Sequence, residues 1–168
     1  MILYPNQYLK SVKEIKIDFL NKYNIQGLIL DVDNTLIDYK NIIPEGIEEW
    51  CKYIKQNGIK CCILSNSNKK TKVEYVAKKL DIPYIYFAKK PFKSGFKKAK
   101  KILQINNENI AVVGDQIFTD VIGGNICNMF SILVEPINKK DIFITVMKRP
   151  IEKFILKKYL KSKETKEK

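Results

Sequence analysis

The chain has 168 residues, and its 31 Lys and Arg residues against 18 Asp and Glu residues give a formal net charge of +13. Its length suits one domain of about 150 residues, and its 45% hydrophobic content is typical of a folded globular chain. Histidine is absent, which excludes Ser-His-Asp and Cys-His triads, imidazole bases and His-ligated metal centres. Any chemistry must therefore come from carboxylates, hydroxyls, lysines or thiols.

All basic residues except Arg149 are lysines, so the guanidinium group that reads guanine and phosphate through paired hydrogen bonds is nearly absent. This composition disfavours sequence-specific DNA readout, while the positive charge leaves open both an anionic partner and a plain lysine-rich surface. The four cysteines show no CxxC spacing, which favours reduced core thiols in a cytoplasmic protein. No stretch reaches the ~20 apolar residues of a membrane span, so we expect no transmembrane segment.

Short β-branched apolar runs alternate with segments of helical period, the pattern of an α/β fold built on a parallel sheet. In chain order, the sequence predicts a helix capped by Ser11-Val-Lys-Glu14, strand Gly27–Val32, a helix from Pro44, strand Ile59–Leu64, helix Lys69–Leu80, strand Tyr84–Phe87, a helix capped by Ser94, strand Ile110–Val113, a helix from Ile117 and strand Phe130–Val134. We expect a three-layer Rossmann-like fold with about five parallel strands. Residues 1–161 would form this single domain and residues 162–168 a frayed basic tail.

Polar residues collect where the first four predicted strands end. These are Asp31-Val-Asp33-Asn-Thr35 after the first strand, Ser65-Asn66 after the second, Lys89-Lys90-Pro91 after the third, and Gly114-Asp115 with Asp120 after the fourth. Taken singly, such residues usually turn the chain or cap a helix. Jointly, four carboxylates at one sheet edge would repel each other unless a cation neutralised them. Oxygen ligands without histidine or thiolate favour Mg²⁺, an ion that commonly partners phosphate groups.

Two of these carboxylates, Asp31 and Asp33, are two residues apart. A carboxylate can attack phosphorus as a nucleophile, and a second one can serve first as acid and then as base. Strand alternation would point the two side chains to opposite faces of the sheet. The pair must therefore lie where the strand breaks into a loop.

The motifs together resemble those of phosphatases of the haloacid dehalogenase (HAD) superfamily. The matching segments are Asp31-Val-Asp33-Asn-Thr35-Leu36, Ser65, Lys90-Pro91, and Gly114-Asp115 with Thr119-Asp120. The stretches AKKPFKSGFKKA and VVGDQIFTDVIGGN are also similar to the YqeG-like branch of subfamily IIIA, which is related to mitochondrial-type phosphatidylglycerophosphate phosphatases. The resemblance extends over residues 5–160, nearly the whole chain.

The resemblance implies catalytic and metal-binding roles for four aspartates. Asp31 would attack phosphorus and carry an aspartyl-phosphate intermediate, while Asp33 would protonate the leaving oxygen and then activate water. Mg²⁺ would be held by Asp31, the backbone carbonyl of Asp33 and Asp115. Asp120 would be a supporting acidic residue of the fourth motif.

The resemblance also implies a group of residues that bind the phosphoryl group and stabilise its developing negative charge. This group consists of Thr35, Ser65, Asn66 and Lys90. The roles of the neighbouring Lys89 and Lys93 stay open.

Many phosphatases of this superfamily carry a cap domain, and neither of its insertion points has room for one here. Residues 36–43 alone separate Thr35 from the helix at Pro44, and one helix with one strand fills residues 66–89. Within the superfamily an open site goes with large substrates or with cover from another subunit, so a Mg²⁺-dependent phosphatidylglycerophosphate phosphatase is the leading interpretation. The alternatives are a phosphatase of a soluble phosphometabolite or a nucleic-acid end, and a nucleic-acid- or ribosome-associated binding protein. The oligomeric state is left open.

The segment from Lys139 to the C-terminus carries eleven basic and four acidic residues, with apolar residues at helical spacing. One interpretation is a last helix that covers the sheet and exposes a solvated lysine face. The other is a basic amphipathic helix over Lys148–Lys161 that lies on an anionic membrane surface. We therefore expect a cytoplasmic protein, and the second interpretation would add peripheral contact with anionic lipid at the inner face of the membrane.

Overall fold

The structure, a computed structural model, describes the backbone of residues 1–138 and 143–166 and the side chains of residues 1–138 and 150–164. Residues 139–142 and 167–168, which carry part of the charge of the predicted basic segment, lie outside the described residues. The strands are β1 (Gln7–Leu9), β2 (Gly27–Leu30), β3 (Lys60–Leu64), β4 (Tyr84–Ile85), β5 (Ile110–Gly114) and β6 (Phe130–Val134). The α-helices are α1 (Ile17–Lys22), α2 (Ile47–Gln56), α3 (Lys70–Leu80), α4 (Lys93–Leu103), α5 (Ile122–Ile126) and α6 (Phe143–Lys166). None of the described helices combines the length and hydropathy that a membrane span requires.

The six strands form one sheet in the order β1-β6-β5-β2-β3-β4, and every neighbouring pair is parallel. The predicted α/β Rossmann-like architecture is therefore confirmed. The sheet has six strands rather than about five, because three residues, Gln7–Leu9, pair with β6 at its edge. So short a segment shows no readable alternation of apolar and polar residues. Since all strands are parallel, their carboxyl ends lie at one edge of the sheet.

The hydrophobic core lies on both faces of the sheet because side chains alternate along each strand. Leu28 and Leu30 of β2 face the inner sides of α2 and α3, whereas Ile29 between them faces α4. The C-terminal helix α6 packs on the sheet near Leu133 through Ile155. The described part of α6 therefore covers the sheet, as one of the two interpretations of this segment predicts.

Several helix boundaries differ from the expectations. Helix α2 begins at Ile47 rather than at Pro44, because Gly46 before it has a left-handed φ of 87°. A π-helical turn, Ile117–Val121, precedes α5, where the sequence predicts an α-helix from Ile117.

Ser11 caps only a single 3-10 turn, Val12–Glu14, by accepting the Lys13 N–H, and α1 begins further on. The predicted cap at Ser94 is wrong, because α4 begins at Lys93 and Ser94 lies inside its first turn. Helix α6 continues to Lys166, past the predicted boundary at residue 161. Whether the last residues fray in solution, and where the domain ends, stay predictions.

The two connections that could hold a cap are short in the structure. Residues 31–46 join β2 to α2, and residues 66–89 hold α3, β4 and the short connections around them. Across the described ranges 1–138 and 143–166, no inserted domain stands over the carboxyl edge of the sheet.

Candidate active site

Asp31 and Asp33 lie just beyond the end of the central strand β2. The Asp31 N–H still donates to the Val113 carbonyl of β5 at 2.9 Å, and the chain then turns sharply. Asn34 has a φ of 60°, a left-handed conformation that asparagine adopts more readily than most residues. The Val32 carbonyl accepts N–H groups from the turn that follows. The strand thus ends at Leu30, before the aspartate pair, as the spacing of the pair predicts. The predicted strand end at Val32 is wrong, because the chain already turns after Asp31.

Lys90 connects two buried carboxylates at this edge. Its Nζ lies 2.7 Å from Oδ1 of Asp31 and 2.6 Å from Oδ1 of Asp120, and all three side chains are buried. The amide of Asn66 fixes the Lys90 backbone, since Oδ1 accepts the Lys90 N–H at 2.6 Å and Nδ2 donates to the Lys90 carbonyl at 3.0 Å. Asn66 therefore acts on Lys90 directly in this structure, and its predicted contact with phosphate stays a prediction.

Lys89 points away from this cluster. It is exposed, and its Nζ lies 5.1 Å from the centroid of the Phe87 ring. Lys93 begins α4 and is also exposed. Within the part of the chain that the structure describes, Lys90 is the one of these three lysines that forms ion pairs with the aspartates of the cluster. This agrees with its alignment in the motif.

Three aspartates could hold a metal ion. One carboxylate oxygen each from Asp31, Asp115 and Asp120 lies within 4.8 Å of the others. A donor set made only of carboxylate oxygens suits a hard divalent cation, so the residues present fit the metal that the superfamily implies. The carboxylate of Asp33 is not part of this group, which is consistent with a contribution through its backbone carbonyl.

Gly114 allows Asp120 to approach the end of β5. A Cβ at Gly114 would collide with the Asp120 carboxyl group. The same carboxylate accepts the Gln116 N–H at 3.2 Å through Oδ2, while its Oδ1 receives Lys90. The glycine of the Gly114-Asp115 motif is thus a packing requirement of the cluster.

Burial and neighbouring charges both shift the pKa values in this cluster. Burial raises the pKa of Asp31 to about 7, and this effect outweighs the lowering by the Lys90 ammonium. Burial lowers the pKa of Lys90, but the charges of Asp120 and Asp31 more than reverse this and raise it above its ordinary value. The ammonium therefore stays charged. A divalent cation beside Asp31 would favour the ionised carboxylate, the form that acts as a nucleophile.

Two hydroxyl groups complete the predicted phosphoryl-binding set. The Thr35 hydroxyl donates to Oδ2 of Asp31 at 3.5 Å. Ser65 is buried directly after β3, and its Oγ accepts the Ser67 N–H at 3.1 Å. This bond uses the Ser65 oxygen as an acceptor and leaves its proton for a phosphoryl oxygen. The catalytic and binding roles of these residues stay predictions.

Lys72, which contacts Asp33, was not predicted as a site residue. Its Nζ lies 2.5 Å from Oδ1 of Asp33, and its side chain is more buried than that of its partner. Lys72 sits in the first turn of α3, 39 residues from Asp33, among several lysines that look alike in sequence. The only available signal was its position shortly after the Ser65 motif, at the same edge of the sheet.

A mostly apolar crevice of about 370 Å³ opens beside Asp115. Its walls include Tyr8, Leu133 and, on α6, Leu156. The Tyr8 hydroxyl donates to Glu135 at 3.2 Å, and burial together with the Glu135 charge raises the pKa of Tyr8 to about 12. Tyr8 is therefore neutral at physiological pH, and the crevice can accommodate a group larger than phosphate next to the aspartates.

A parallel sheet whose strand ends deliver aspartates and a buried lysine is the arrangement of a HAD-type hydrolase. The family model described as "haloacid dehalogenase-like hydrolase" matches residues 41–127, about half of the chain, beginning after the Asp31 motif. The chain is also 38% identical over 154 residues to the Probable phosphatase YqeG of Bacillus subtilis, covering 90% of this chain and 88% of that protein. The chain belongs to the haloacid dehalogenase-like hydrolases and is a phosphatase of this family.

The chain has more distant similarities to a further protein and to two solved structures, which share its fold. The chain is 25% identical over 175 residues to phosphatidylglycerophosphate phosphatase 1 of Arabidopsis thaliana, covering 94% of this chain and 48% of that protein. The cobalt-bound deoxy-D-mannose-octulosonate 8-phosphate phosphatase of Haemophilus influenzae shares the fold, with a TM-score of 0.51 at 17% identity over 83% of this chain and 92% of that chain. An uncharacterized Listeria monocytogenes protein has a TM-score of 0.57 at 19% identity, over 70% and 85%.

Proposed function

We propose that this chain is a Mg²⁺-dependent phosphomonoesterase that forms an aspartyl phosphate on Asp31. The observation that carries the proposal is the buried contact of Lys90 with both Asp31 and Asp120 at the end of the central strand. This contact holds the Asp31 carboxylate beside the Lys90 ammonium at the sheet edge where open α/β folds bind their ligands. That is the arrangement needed to bring a phosphoryl group next to a nucleophile.

In the first half-reaction, an Asp31 oxygen attacks phosphorus while the bond from phosphorus to the leaving oxygen breaks. Asp33 gives its proton to that leaving oxygen, and Lys90 and Ser65 bind the equatorial phosphoryl oxygens. In the second half-reaction, Asp33 takes a proton from water as the water oxygen attacks phosphorus. The bond from phosphorus to Asp31 then breaks, which regenerates the carboxylate and releases inorganic phosphate.

The residues that would hold Mg²⁺ are Asp31, Asp115 and the backbone carbonyl of Asp33. When bound, the ion supplies positive charge that offsets the repulsion between an anionic substrate and the aspartates. Asp120 is already engaged by Lys90 and by the Gln116 N–H, so its role is to keep Lys90 in place.

We propose phosphatidylglycerophosphate as the substrate. The open edge of the sheet admits a large lipid headgroup, and the crevice beside Asp115 offers room for part of the leaving group. The similarity to a phosphatidylglycerophosphate phosphatase supports the same assignment. We place the enzyme in the cytoplasm with peripheral contact at the inner face of the membrane, consistent with four cysteines that are all free and buried.

The proposal is tested by phosphate release from the purified full chain with Mg²⁺. The substrates are phosphatidylglycerophosphate in mixed micelles, glycerol 3-phosphate, and a 5′-phosphorylated oligonucleotide, with Asp31→Asn as the inactive control. We expect kcat/KM to be at least about tenfold higher for the lipid, a difference of about 1.4 kcal/mol in barrier. A higher value for either soluble substrate would move the assignment to a soluble phosphometabolite or a nucleic-acid end. No turnover of any phosphoester would instead favour a binding protein.

A further inference from the structure

Aromatic and lysine side chains stand around the edge of the sheet that holds the aspartates. We define the catalytic rim as Tyr39, Lys40, Ile42, Phe87, Lys89 and Phe92. They lie in the connections that follow β2 and β4. Because both strands belong to one parallel sheet, these connections leave it at the same edge as Asp31 and Lys90.

The apolar members of the catalytic rim are largely exposed. Phe92 is 70% exposed, Tyr39 62%, Ile42 57% and Phe87 54%. One exposed apolar side chain is ordinary on a globular domain, but four large ones at one edge mark an interaction surface.

The charges of the catalytic rim are positive. The Lys40 Nζ lies 5.6 Å from the centroid of the Tyr39 ring, and Lys89 lies similarly over Phe87. The carboxylate of Asp38 in the same loop is engaged by the backbone, since its Oδ1 accepts the N–H groups of Lys40 and Ile42, both at 2.8 Å. The catalytic rim therefore offers aromatic rings and ammonium groups together. This combination suits a surface with an anionic headgroup layer over an apolar interior.

Helix α6 does not lie in the plane of this edge. In the first half of the helix, Glu152 accepts the N–H of Phe118 at 3.1 Å, beside the active site. Further along, the Tyr159 hydroxyl donates to the Asn6 carbonyl at 3.4 Å, just before β1 and thus at the opposite edge. The helix therefore runs along the strands. It is unable to lie flat on a membrane that meets the catalytic rim.

We propose that the catalytic rim, rather than the lysine face of α6, is the surface that docks on an anionic lipid bilayer. Its rings enter the headgroup region and its lysines pair with lipid phosphates, which brings a membrane-bound phosphomonoester to Asp31. This inference rests on the proposed lipid substrate. A nucleic acid also attracts lysine, but Ile42 and the near absence of arginine from the chain favour lipid.

The test compares vesicle binding of three variants, measured by sedimentation with phosphatidylcholine vesicles that contain or lack phosphatidylglycerol. The rim variant is Phe87→Asn, Phe92→Ser, Lys40→Gln. Asn suits the left-handed backbone at Phe87, which has a φ of 48°, and Ser suits the N-cap position of α4. The helix variant is Lys153→Gln, Lys157→Gln, Lys158→Gln. The control variant, Tyr53→Gln, Ile102→Gln, Lys101→Gln, removes matched exposed side chains toward the C-terminal ends of α2 and α4, at the opposite edge.

We expect the wild-type chain to prefer the anionic vesicles and the rim variant to bind them at least about tenfold more weakly. The helix and control variants should keep most of the binding. A loss in the helix variant with none in the rim variant would overturn the proposal. So would equal binding of wild type to both vesicles, or rim-dependent binding to a single-stranded oligonucleotide without vesicle binding.

The same experiment separates docking from chemistry, because sedimentation needs no turnover. Hydrolysis of p-nitrophenyl phosphate by each variant shows that its active site is intact. If the rim variant loses vesicle binding while wild type releases no phosphate from phosphatidylglycerophosphate, the docking surface stands and the proposed substrate fails. If phosphatidylglycerophosphate is hydrolysed but the rim variant binds vesicles as wild type does, the proposed substrate stands and the docking surface fails.

Discussion

Lys90 places one ammonium group between the buried carboxylates of Asp31 and Asp120. In the proposed mechanism, the oxygens of an entering phosphoryl group would take over part of this contact, so the buried ammonium would keep anionic partners throughout the reaction. That continuity matters because an unpaired buried charge is strongly destabilising. Lys89, one residue earlier, lies over the Phe87 ring and has no comparable contact in the described residues.

Lys90→Ala should therefore reduce kcat/KM much more than Lys89→Ala. We expect a loss of at least about a hundredfold for Lys90→Ala, the scale seen when a donor to developing negative charge is removed. Steady-state kinetics with p-nitrophenyl phosphate measures both variants, and circular dichroism checks that each is folded. A larger loss for Lys89→Ala would transfer the phosphoryl-binding role to that residue.

We expect Lys72 to be a positioning residue for Asp33, because its ammonium contacts one oxygen of that carboxylate. Lys72→Met keeps the length of the side chain and removes the charge. We expect kcat to fall by about tenfold or more with little change in KM, since the acid and base would be less well oriented while phosphoryl binding is unchanged. Lys72→Arg should recover part of the loss, and Lys79→Met on the exposed side of α3 is the control.

An equal fall in kcat for Lys72→Met and Lys79→Met would contradict the positioning of Asp33 by Lys72. It would mean that the general positive charge of α3 matters rather than the contact with Asp33.

At the scale of the elements, the packing at the end of β5 requires a glycine at position 114. Gly114→Ala would introduce a Cβ that collides with the Asp120 carboxyl group and displaces it from Lys90. We expect the free energy of unfolding to fall by about 1–3 kcal/mol, as for overpacked cores, together with a loss of activity. Urea denaturation measures the first effect. Wild-type stability in this variant would show that the turn after β5 has room that the structure does not indicate.

The elements themselves could largely be predicted from sequence, because buried parallel strands such as β5 and β6 are short continuous apolar runs. The placement of Asp31 and Asp33 beyond β2 also followed from strand alternation. Two features could not be predicted. β1 is held by pairing with β6 rather than by its own pattern, and the contact of Lys72 with Asp33 joins residues that are neighbours only after α3 has packed.

The cap assigned to Ser94 failed for a related reason. A serine near the start of a helix is a common N-cap, but Gly95 and Phe96 of the same turn are buried, and the helix begins earlier, at Lys93. Burial of the first turn, which the sequence shows only indirectly, decides the boundary.

At the scale of the whole molecule, we expect a divalent cation bound by the carboxylate cluster to stabilise the folded chain. A ligand that binds only the folded state raises the unfolding temperature by mass action. Adding Mg²⁺ to chain treated with EDTA should therefore raise Tm by several degrees for wild type, and Asp115→Asn should lose most of the increase. Differential scanning fluorimetry measures this without any substrate. Identical Tm values with EDTA and with Mg²⁺ would contradict a metal site at this edge.

The central claim is that Asp31 carries the phosphoryl group and Asp33 handles the protons. Asp33→Asn should still form the aspartyl phosphate from p-nitrophenyl phosphate, whose leaving group needs no acid, but should hydrolyse it slowly. Acid quenching followed by peptide mass spectrometry measures where the phosphoryl group resides. We predict phosphorylation of Asp31 in Asp33→Asn with Mg²⁺ present, and none when Asp31→Asn is added. A phosphoryl group on any other residue, or none in Asp33→Asn while p-nitrophenol is still released, would contradict the account.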